Sequence, residues 1–372
     1  MKVLILTGKF GMGHCSAANS IKEMLKKANH EVEIVDIVES LAPVMNKVIY
    51  GSFNKIVKSS PELYNWFIKA TDKNESAIPF KKIMGRKTGR IIDKSEADIV
   101  ISTLHLSSQY VGIYKELSGN KVPLFTVITD ISSKDEWIAP NTDRYFVATE
   151  KVKNGLVKKG IPSHIIQVSG IPVRSVFSPK RRDVNSIKDK KEILIMGGGL
   201  GLMPIPESQL KALNCNGNFK TTIITGSNAE LHNKLKNRYH NINVVGFVKN
   251  VDEYMKNADL LVTKAGGICM FEAIRSELPM FVVEPFLAQE MANANFIKEK
   301  NIGDVCSAND MEYANKISKL LDDDSKIISM RRNMRELKKK VSQERIINEV
   351  SNFSNYNYNY NHGHSDNLVQ AW

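Results

Sequence analysis

Residues 263–293 carry the side chains whose order best suits a phosphate ligand. Lys264 supplies a positive charge, and Gly266 and Gly267 let the main chain come close to a ligand. A helix that begins near Ile268 would direct its unpaired N–H groups at a pyrophosphate. The segment therefore indicates a sugar-nucleotide site. An ordinary strand-turn-helix unit, in which the glycines only form the turn, is the alternative.

Three polar side chains in the same segment are placed to bind the rest of such a ligand. Glu272 lies one turn inside the predicted helix, where a carboxylate accepts hydrogen bonds from both hydroxyls of a ribose. Gln289 and Glu290 follow the next predicted strand and are placed to hydrogen-bond the hydroxyls of a sugar. For Glu272, the alternative is an ordinary solvated position on the helix surface.

A second glycine-rich turn, Met-Gly-Gly-Gly-Leu-Gly-Leu, occupies residues 196–202. It follows a predicted strand and precedes a predicted helix. In such a turn Gly197, Gly198 and Gly199 let main-chain amides contact the diphosphate of a donor. The two glycine turns of this half of the chain are therefore predicted to share one ligand.

Two later strand ends complete this half of the predicted site. Asn228 follows the second strand of the half, and Phe247 and Val248 follow the third. Ligands of open α/β sheets bind at the carboxyl edge, where these strands end. The main chain at Val248 is expected to pair with the edge of a pyrimidine base.

A glycine-rich turn also follows the first predicted strand, at residues 8–16. A P-loop would need Lys and then Ser or Thr after Gly13, but His14 and Cys15 stand there, which excludes that motif. A dinucleotide fingerprint fits better, because Asp36 follows at about the right distance. That fingerprint lacks its third glycine.

His14 is a candidate for acid–base chemistry. It would stand at the N-terminus of the helix predicted over residues 16–27, where the helix dipole lowers the pKa of an imidazole and favours its neutral form. A neutral imidazole can accept a proton or hydrogen-bond a phosphate or hydroxyl. A histidine that only caps the helix is the alternative.

Each half of the chain has a glycine-rich turn after its first predicted strand, and each half alternates short apolar strands with helices. In the first half, strands are predicted at Lys2–Thr7, Glu31–Val38, Asp98–Ser102, Leu124–Thr129, Tyr145–Ala148 and Ile165–Val168. In the second half, they are predicted at Glu192–Met196, Thr221–Thr225, Asn243–Val245, Leu260–Thr263 and Met280–Val283. The pattern is typical of doubly wound α/β domains.

The domain prediction follows from that repetition and from a length of 372 residues, which exceeds one compact core. We predict a Rossmann-like domain over residues 1–178 and a second Rossmann-like domain over residues 179–350. Residues 351–372 are rich in Asn and Tyr and low in complexity, so we predict that this tail is disordered.

Composition limits the classes of function. The longest apolar runs are far shorter than the ~20 residues of a membrane span, and no secretion signal is recognisable, so the predicted location is the cytoplasm. Four scattered cysteines have no metal-binding spacing. The acidic cluster Asp322-Asp-Asp324 is better explained as a helix cap. No metal site is therefore predicted.

A formal net charge of +12 predicts an anionic partner. Within residues 43–94, lysines and arginines are interleaved with aromatic and aliphatic side chains, a pattern that suits the surface of an anionic membrane. A solvated basic face over an ordinary core is the alternative. Nucleic acid is not predicted as a partner, since no recognised nucleic-acid-binding motif accompanies the charge.

Several short motifs, spread over most of residues 1–345, resemble those of one enzyme family. They are Gly11–Ala18, Val127–Asp130, Trp137, Asp143–Val147, Ser169–Arg174, Gly246–Val248, Thr263–Gly267, Glu272-Ala273, Gln289-Glu290 and Asn293–Asn295. The chain thereby resembles the monogalactosyldiacylglycerol synthases and processive diacylglycerol glucosyltransferases of glycosyltransferase family 28.

The resemblance implies a GT-B fold, in which the N-terminal domain holds the acceptor and the C-terminal domain holds the nucleotide sugar. It also implies a UDP-sugar as co-substrate, with no bound cofactor, a lipid hydroxyl such as that of diacylglycerol as acceptor, and inversion at the anomeric carbon. The enzyme would be peripheral on the inner face of the cell membrane. Gly13, His14 and Trp137 are then assigned to the acceptor.

Asp130 is the first candidate for the base that such a transfer needs, and His14 is the second. Asp130 follows a predicted strand and would face the cleft between the domains, where partial burial raises the pKa of a carboxyl group. An aspartate that only caps the following turn is the alternative.

Two differences from the family pattern affect these predictions. Relatives usually place a histidine between Asp130 and Trp137, where this chain has Lys134 near the expected position. The usual Lys-Pro-Gly-Gly is Lys264-Ala-Gly-Gly here. The other classes considered are a nicotinamide-dependent dehydrogenase, a UDP-sugar binder without activity, and an enzyme that transfers N-acetylglucosamine or hexose to another lipid-linked or hydrophobic acceptor.

Overall fold

A computed structural model describes residues 1–59, 81–179, 190–199, 201–203, 205–283, 288–307 and 312–363 of the chain. It contains two six-stranded sheets, one from each half of the chain, in which neighbouring strands run parallel. Helices connect the strands. The predicted doubly wound α/β class is confirmed for both halves.

The N-terminal half builds the first sheet, in the order β2-β1-β3-β4-β5-β6. Its strands are β1 (Lys2–Thr7), β2 (Glu31–Asp36), β3 (Ile99–Ser102), β4 (Leu124–Val127), β5 (Arg144–Val147) and β6 (Ile166–Val168). Its helices are α1 (Gly13–Lys27), α2 (Ile37–Leu41), α3 (Asn46–Ser59), α4 (Lys81–Ser95), α5 (His105–Ser118) and α6 (Glu150–Lys158), with 3₁₀ turns at Asp135–Trp137 and Ser163–Ile165. The strand order reverses between β1 and β3, and such a switch point is where open α/β sheets bind ligands.

The C-terminal half builds the second sheet, in the order β12-β11-β10-β7-β8-β9. Its strands are β7 (Lys191–Met196), β8 (Phe219–Ile224), β9 (Ile242–Val245), β10 (Leu260–Lys264), β11 (Met280–Val283) and β12 (Gly303–Cys306). Its helices are α7 (Glu207–Cys215), α8 (Ala229–Leu235), α9 (Val251–Asn257), α10 (Gly267–Ser276), α11 (Ala288–Glu299), α12 (Tyr313–Asp322), α13 (Asp324–Lys340) and α14 (Glu344–Gly363). Here the switch point lies between β7 and β10.

The central strands are buried on both faces, which explains why they read as continuous apolar runs. Val3, Leu4, Ile5 and Leu6 of β1 are fully buried. Every predicted strand is present, with ends that differ by a few residues. The sequence reasoning missed β12, because Gly-Asp-Val-Cys contains no apolar run. The predicted helix cap is confirmed, since Asp323 accepts a hydrogen bond from the Lys326 N–H at 2.9 Å.

The last helix, α14, returns to the first sheet. Ile346 and Val350 are fully buried in the core of the N-terminal half. Phe353 packs edge-on against Phe125, with ring centroids 5.2 Å apart. Residues 344–350 therefore pack with the N-terminal domain although we assigned them to the C-terminal one.

The prediction of a disordered tail is wrong for residues 351–363, because α14 continues to Gly363. Phe353 gives this polar stretch an apolar anchor, and the Arg144 guanidinium lies 5.3 Å from its ring centroid. Residues 364–372 lie outside the described residues. So do residues 180–189, and the predicted domain boundary near them stays a prediction.

Candidate active site between the two sheets

His14 lies in the first turn of α1, at the switch point of the first sheet. Its Nδ1 atom lies 2.9 Å from the carbonyl oxygen of Thr103 and 2.9 Å from the hydroxyl of Thr129. A carbonyl oxygen only accepts hydrogen bonds, so we assign the proton to Nδ1, which leaves the lone pair on Nε2. Within the described part of the chain, Nε2 makes no hydrogen bond.

The His14 imidazole is neutral at pH 7. Burial, together with the smaller effect of the neighbouring His105, lowers the pKa of His14 to about 4, against the opposing effects of the Thr103 carbonyl and Asp130. The sequence predicted this direction from the helix dipole, whereas burial is the larger cause. A neutral ring with a free Nε2 can take a proton from a hydroxyl.

Asp130 follows β4 and is held at both carboxylate oxygens. Oδ1 accepts hydrogen bonds from the Ser132 N–H at 3.0 Å and the Ser132 hydroxyl at 2.7 Å, and Oδ2 accepts one from Trp137 Nε1 at 3.4 Å. Burial raises the pKa of Asp130, while Ser132 and the charge of Lys134 oppose that rise. The capping role considered for Asp130 is therefore present, and it coexists with a raised pKa.

Trp137 and two imidazoles form one cluster beside Asp130. The indole is buried, and its ring centroid lies 5.7 Å from that of His105 and 6.4 Å from that of His14. Trp137 thus positions Asp130, and its predicted contact with an acceptor stays a prediction. The sequence reasoning missed His105, which follows β3 directly across the switch point from His14.

Lys134 is half-buried near the position where the family resemblance predicts a histidine. Its Nζ atom is enclosed and lies 3.9 Å from Glu136 Oε1. Its charge favours the ionised form of Asp130. Lys134 therefore opposes the effect of burial on Asp130.

The glycine-rich turn after β7 lies beside Lys264 of β10. Gly198 adopts a φ of +73°, which favours glycine, and a Cβ atom there would lie 3.7 Å from Lys264 Cε. Lys264 Nζ donates to Glu290 Oε1 at 2.6 Å. The two glycine turns predicted to share a ligand are thus adjacent. Lys264, predicted to bind phosphate, forms an ion pair with Glu290, predicted to bind the sugar.

Asn228 holds the glycine-rich turn in place. Its Oδ1 accepts a hydrogen bond from the Leu231 N–H at 3.0 Å, and its Nδ2 donates to the Gly201 carbonyl at 3.2 Å. Both amide atoms are engaged within the protein, so the structure shows a positioning role for Asn228. A direct contact with the donor stays a prediction.

Glu272 lies in α10 near two other charged residues. Burial raises the pKa of Glu272 to about 8; Arg174 opposes this rise and Asp252 adds to it. Arg174 Nη2 lies 3.4 Å from Asp252 Oδ1. Arg174 was noted only as part of a family motif, and its place beside Glu272 emerges from the fold.

The remaining predicted donor residues lie at the edge of this region. Phe247 is 62% exposed, and Val248 is half-buried against the core of the second sheet. The side chain of Gln289 lies outside the described residues. The predicted contacts of these three residues with a nucleotide sugar stay predictions.

The carboxyl ends of the two sheets contact each other. A Cβ atom at Gly267 would lie 2.9 Å from the Thr129 carbonyl oxygen, and one at Gly13 would lie 3.4 Å from Ile268 Cγ1. Asn293, missed as a site residue, hydrogen-bonds across the same junction. The His14 cluster and the glycine turns therefore face one site.

Asp36 does not belong to that site. Its Oδ1 atom accepts hydrogen bonds from the Val38 and Glu39 N–H groups at 3.0 Å and from the Tyr50 hydroxyl at 2.6 Å. It therefore caps α2. A dehydrogenase would have used Asp36 to bind a ribose, so the structure gives that alternative no support.

Two doubly wound sheets that meet at their carboxyl ends, with His14 and Asp130 on one side and glycine-rich turns on the other, have the architecture of the GT-B fold. Solved structures agree on the fold. Acinetobacter baumannii MurG has a TM-score of 0.64 at 16% identity, over 94% of this chain and 99% of that one. The spinosyn rhamnosyltransferase SpnG has a TM-score of 0.66 at 12% identity, over 94% and 100%.

Comparison at the sequence level gives the family. A model described as monogalactosyldiacylglycerol (MGDG) synthase matches residues 14–173, and one described as glycosyltransferase family 28 C-terminal domain matches residues 193–348. A protein from Bacillus subtilis (strain 168) named processive diacylglycerol beta-glucosyltransferase is 26% identical over 363 residues, which cover 94% of each chain. These matches confirm the resemblance that the motifs suggested, to the monogalactosyldiacylglycerol synthases and processive diacylglycerol glucosyltransferases, over most of the chain.

Proposed function

We propose that this glycosyltransferase moves a hexose from a UDP-sugar to the hydroxyl of diacylglycerol, with inversion, at the cytoplasmic surface of a membrane. The observation that carries the proposal is the contact between Gly267, at the predicted donor turn, and Thr129, next to the acid–base cluster. This contact supports the proposal because it places the helix terminus predicted to bind phosphate close to the predicted proton acceptor. The names of the relatives supply the acceptor class.

The chemistry is a single displacement. The acceptor oxygen bonds to the anomeric carbon while the bond from that carbon to the UDP oxygen breaks, and the acceptor proton passes to a base. His14 Nε2 is the atom we assign to the proton, because it makes no hydrogen bond in the described part of the chain, whereas hydrogen bonds at both oxygens fix the Asp130 carboxylate in place. The negative charge of Asp130 then stabilises the imidazolium, since it favours protonated His14.

The leaving diphosphate needs positive charge or aligned dipoles. Lys264, the amides of the turn at 197–199 and the N-terminus of α10 supply them. Glu290 would compensate Lys264 when the donor is absent, since the two are paired at 2.6 Å. Glu272 would accept hydrogen bonds from the ribose once it is ionised.

Membrane contact is supported by the surface around α3 and α4. Val44, Met45 and Val48 are 90%, 59% and 63% exposed, and Ile83 at the start of α4 is 52% exposed. Both helices also carry exposed basic residues, namely Lys47, Lys81, Lys82, Arg86 and Arg90. No helix in the described ranges is long and apolar enough to span a bilayer. Apolar side chains among cations suit shallow insertion into an anionic leaflet. Residues 60–80 of the predicted membrane segment lie outside the described residues.

The proposal is tested by UDP release from UDP-glucose, UDP-galactose and UDP-N-acetylglucosamine, with and without diacylglycerol in anionic vesicles. We expect release that depends on the lipid and is fastest with one hexose donor. Release that is equally fast without lipid would point to another acceptor or to hydrolysis. UDP binding without release would support the inactive binder.

A further inference from the structure

One buried side chain bridges the two halves of the site. Asn293 of α11 is 3% exposed. Its Oδ1 accepts a hydrogen bond from the Ile131 N–H at 3.3 Å, and its Nδ2 donates to the Ala265 carbonyl at 2.8 Å. Ile131 belongs to the first half of the chain and Ala265 to the second, and 162 residues separate Asn293 from Ile131.

We propose that Asn293 is a positioning residue that fixes the acid–base cluster against the donor turn in the geometry needed for transfer. The inference rests on the proposed function for its effect on turnover. Each partner of Asn293 is the immediate neighbour of a site residue, because Ile131 follows Asp130 and Ala265 follows Lys264. A single amide therefore sets how these two main-chain segments lie relative to each other.

An amide suits this position better than a carboxylate or a hydroxyl. One partner is a donor and the other an acceptor, so only one orientation of the Asn293 amide satisfies both. An aspartate would keep an acceptor for Ile131 but would set a negative oxygen against the Ala265 carbonyl. An alanine would leave a buried N–H and a buried carbonyl without their partner.

The neighbouring contact at Gly267 makes the junction sensitive to small displacements. The ideal Cβ position of Gly267 lies only 2.9 Å from the Thr129 carbonyl oxygen and 3.7 Å from Asp130 Cα. Loss of the Asn293 bridge frees the two halves to separate at this point. Misplacement of reacting groups by about 1 Å can lower a rate by roughly 10²-fold.

The test compares Asn293→Ala and Asn293→Asp with Asn315→Ala, at an exposed asparagine of α12. We expect kcat to fall roughly 10- to 100-fold in both Asn293 variants, while the Kd for UDP changes less than about threefold. The control should keep both values. A matched fall in UDP affinity, or a matched rise in the KM for the UDP-sugar, would mean that Asn293 contacts the donor, and an unchanged kcat would mean that the bridge has no role in transfer; each of these results overturns the proposal.

A second measurement does not depend on activity. Hydrogen exchange should show faster exchange of the Ile131 amide in Asn293→Ala, with the central strands of both sheets still protected. An unchanged exchange rate of the Ile131 amide would contradict the proposed bridge. Loss of amide protection throughout both sheets would mean that Asn293 serves general stability instead. If the native protein fails to transfer a hexose while Ile131 responds as expected, the proposed function fails and the bridge stands.

Discussion

The His14 imidazole is held only at Nδ1, whereas the Asp130 carboxylate is held at both oxygens. On this difference we base the proposal that His14 takes the proton and that Asp130 stabilises the resulting charge. At the residue scale, His14 and Asp130 should therefore contribute unequally to turnover.

His14→Asn keeps an amide that can donate to the Thr103 carbonyl and removes the proton acceptor. We expect kcat at saturating donor to fall by ~10²–10⁴-fold, the usual worth of general-base catalysis. Asp130→Asn should lower kcat by a smaller factor, because the His14 imidazole remains as the proton acceptor. Steady-state kinetics with calorimetry for UDP separates the roles: a larger loss in Asp130→Asn at unchanged UDP affinity would return the base to Asp130.

The burial of Glu272 predicts that UDP affinity depends on pH. Since burial raises the pKa of Glu272 to about 8, the carboxyl group of the ligand-free protein is largely protonated at pH 7. A ribose favours the ionised form, so UDP affinity should rise between pH 7 and pH 8 and level off above, by at most about tenfold per unit. Calorimetry across this range checks it, and Glu272→Gln should bind more weakly with a flat profile. An equally steep profile in the variant would contradict the assignment.

At the scale of elements, the start of α10 must approach β4 closely. In Gly267→Ala the new methyl group would press on the Thr129 carbonyl oxygen, 2.9 Å from the ideal Cβ position, and that oxygen belongs to the main chain. We expect turnover to fall at least tenfold with a nearly unchanged melting temperature. Gly217→Ala, where no atom lies within 4 Å of the added Cβ, is the matched control. Full activity in Gly267→Ala would show that the close approach is dispensable.

The exposed apolar residues before and within α3 should act as a membrane contact. The triple change of Val44, Met45 and Val48 to Ser should weaken flotation with phosphatidylglycerol vesicles severalfold. Ile328→Ser, at a position 64% exposed on α13, is the control. Equal flotation of the triple variant and the native protein would remove this surface from membrane contact. Equal binding of the native protein to neutral and anionic vesicles would remove the role of the basic residues.

At the scale of the whole molecule, the sequence was most informative about elements that a local pattern determines. Buried parallel strands read as apolar runs, and their carboxyl ends carry the glycine turns and His14. Residues whose role depends on distant partners could not be recognised. Asn293 and Arg174 were visible only as motif members, and His105 gave no signal of its own.

The same reason explains the error in the tail. The Asn- and Tyr-rich stretch is low in complexity. However, its Phe353 packs against Phe125, which is distant in the sequence. The return of α14 to the first sheet depends on contacts such as the ion pair between Arg144 Nε and Glu349 Oε2 at 2.9 Å. Arg144 and Glu349 are 205 residues apart in the chain, so no local sequence pattern reveals this contact.

The central claim is the transfer of a hexose to diacylglycerol with inversion, and the structure of the lipid product tests it most directly. The native protein should be incubated with diacylglycerol in anionic vesicles and each UDP-hexose, and the extracted lipid analysed by mass spectrometry and proton NMR. We predict a hexosyl-diacylglycerol with a β-linked sugar, formed from the α-linked donor and nearly absent with His14→Asn. An α-linked product would contradict inversion, and a hexose on any molecule other than diacylglycerol would contradict the acceptor.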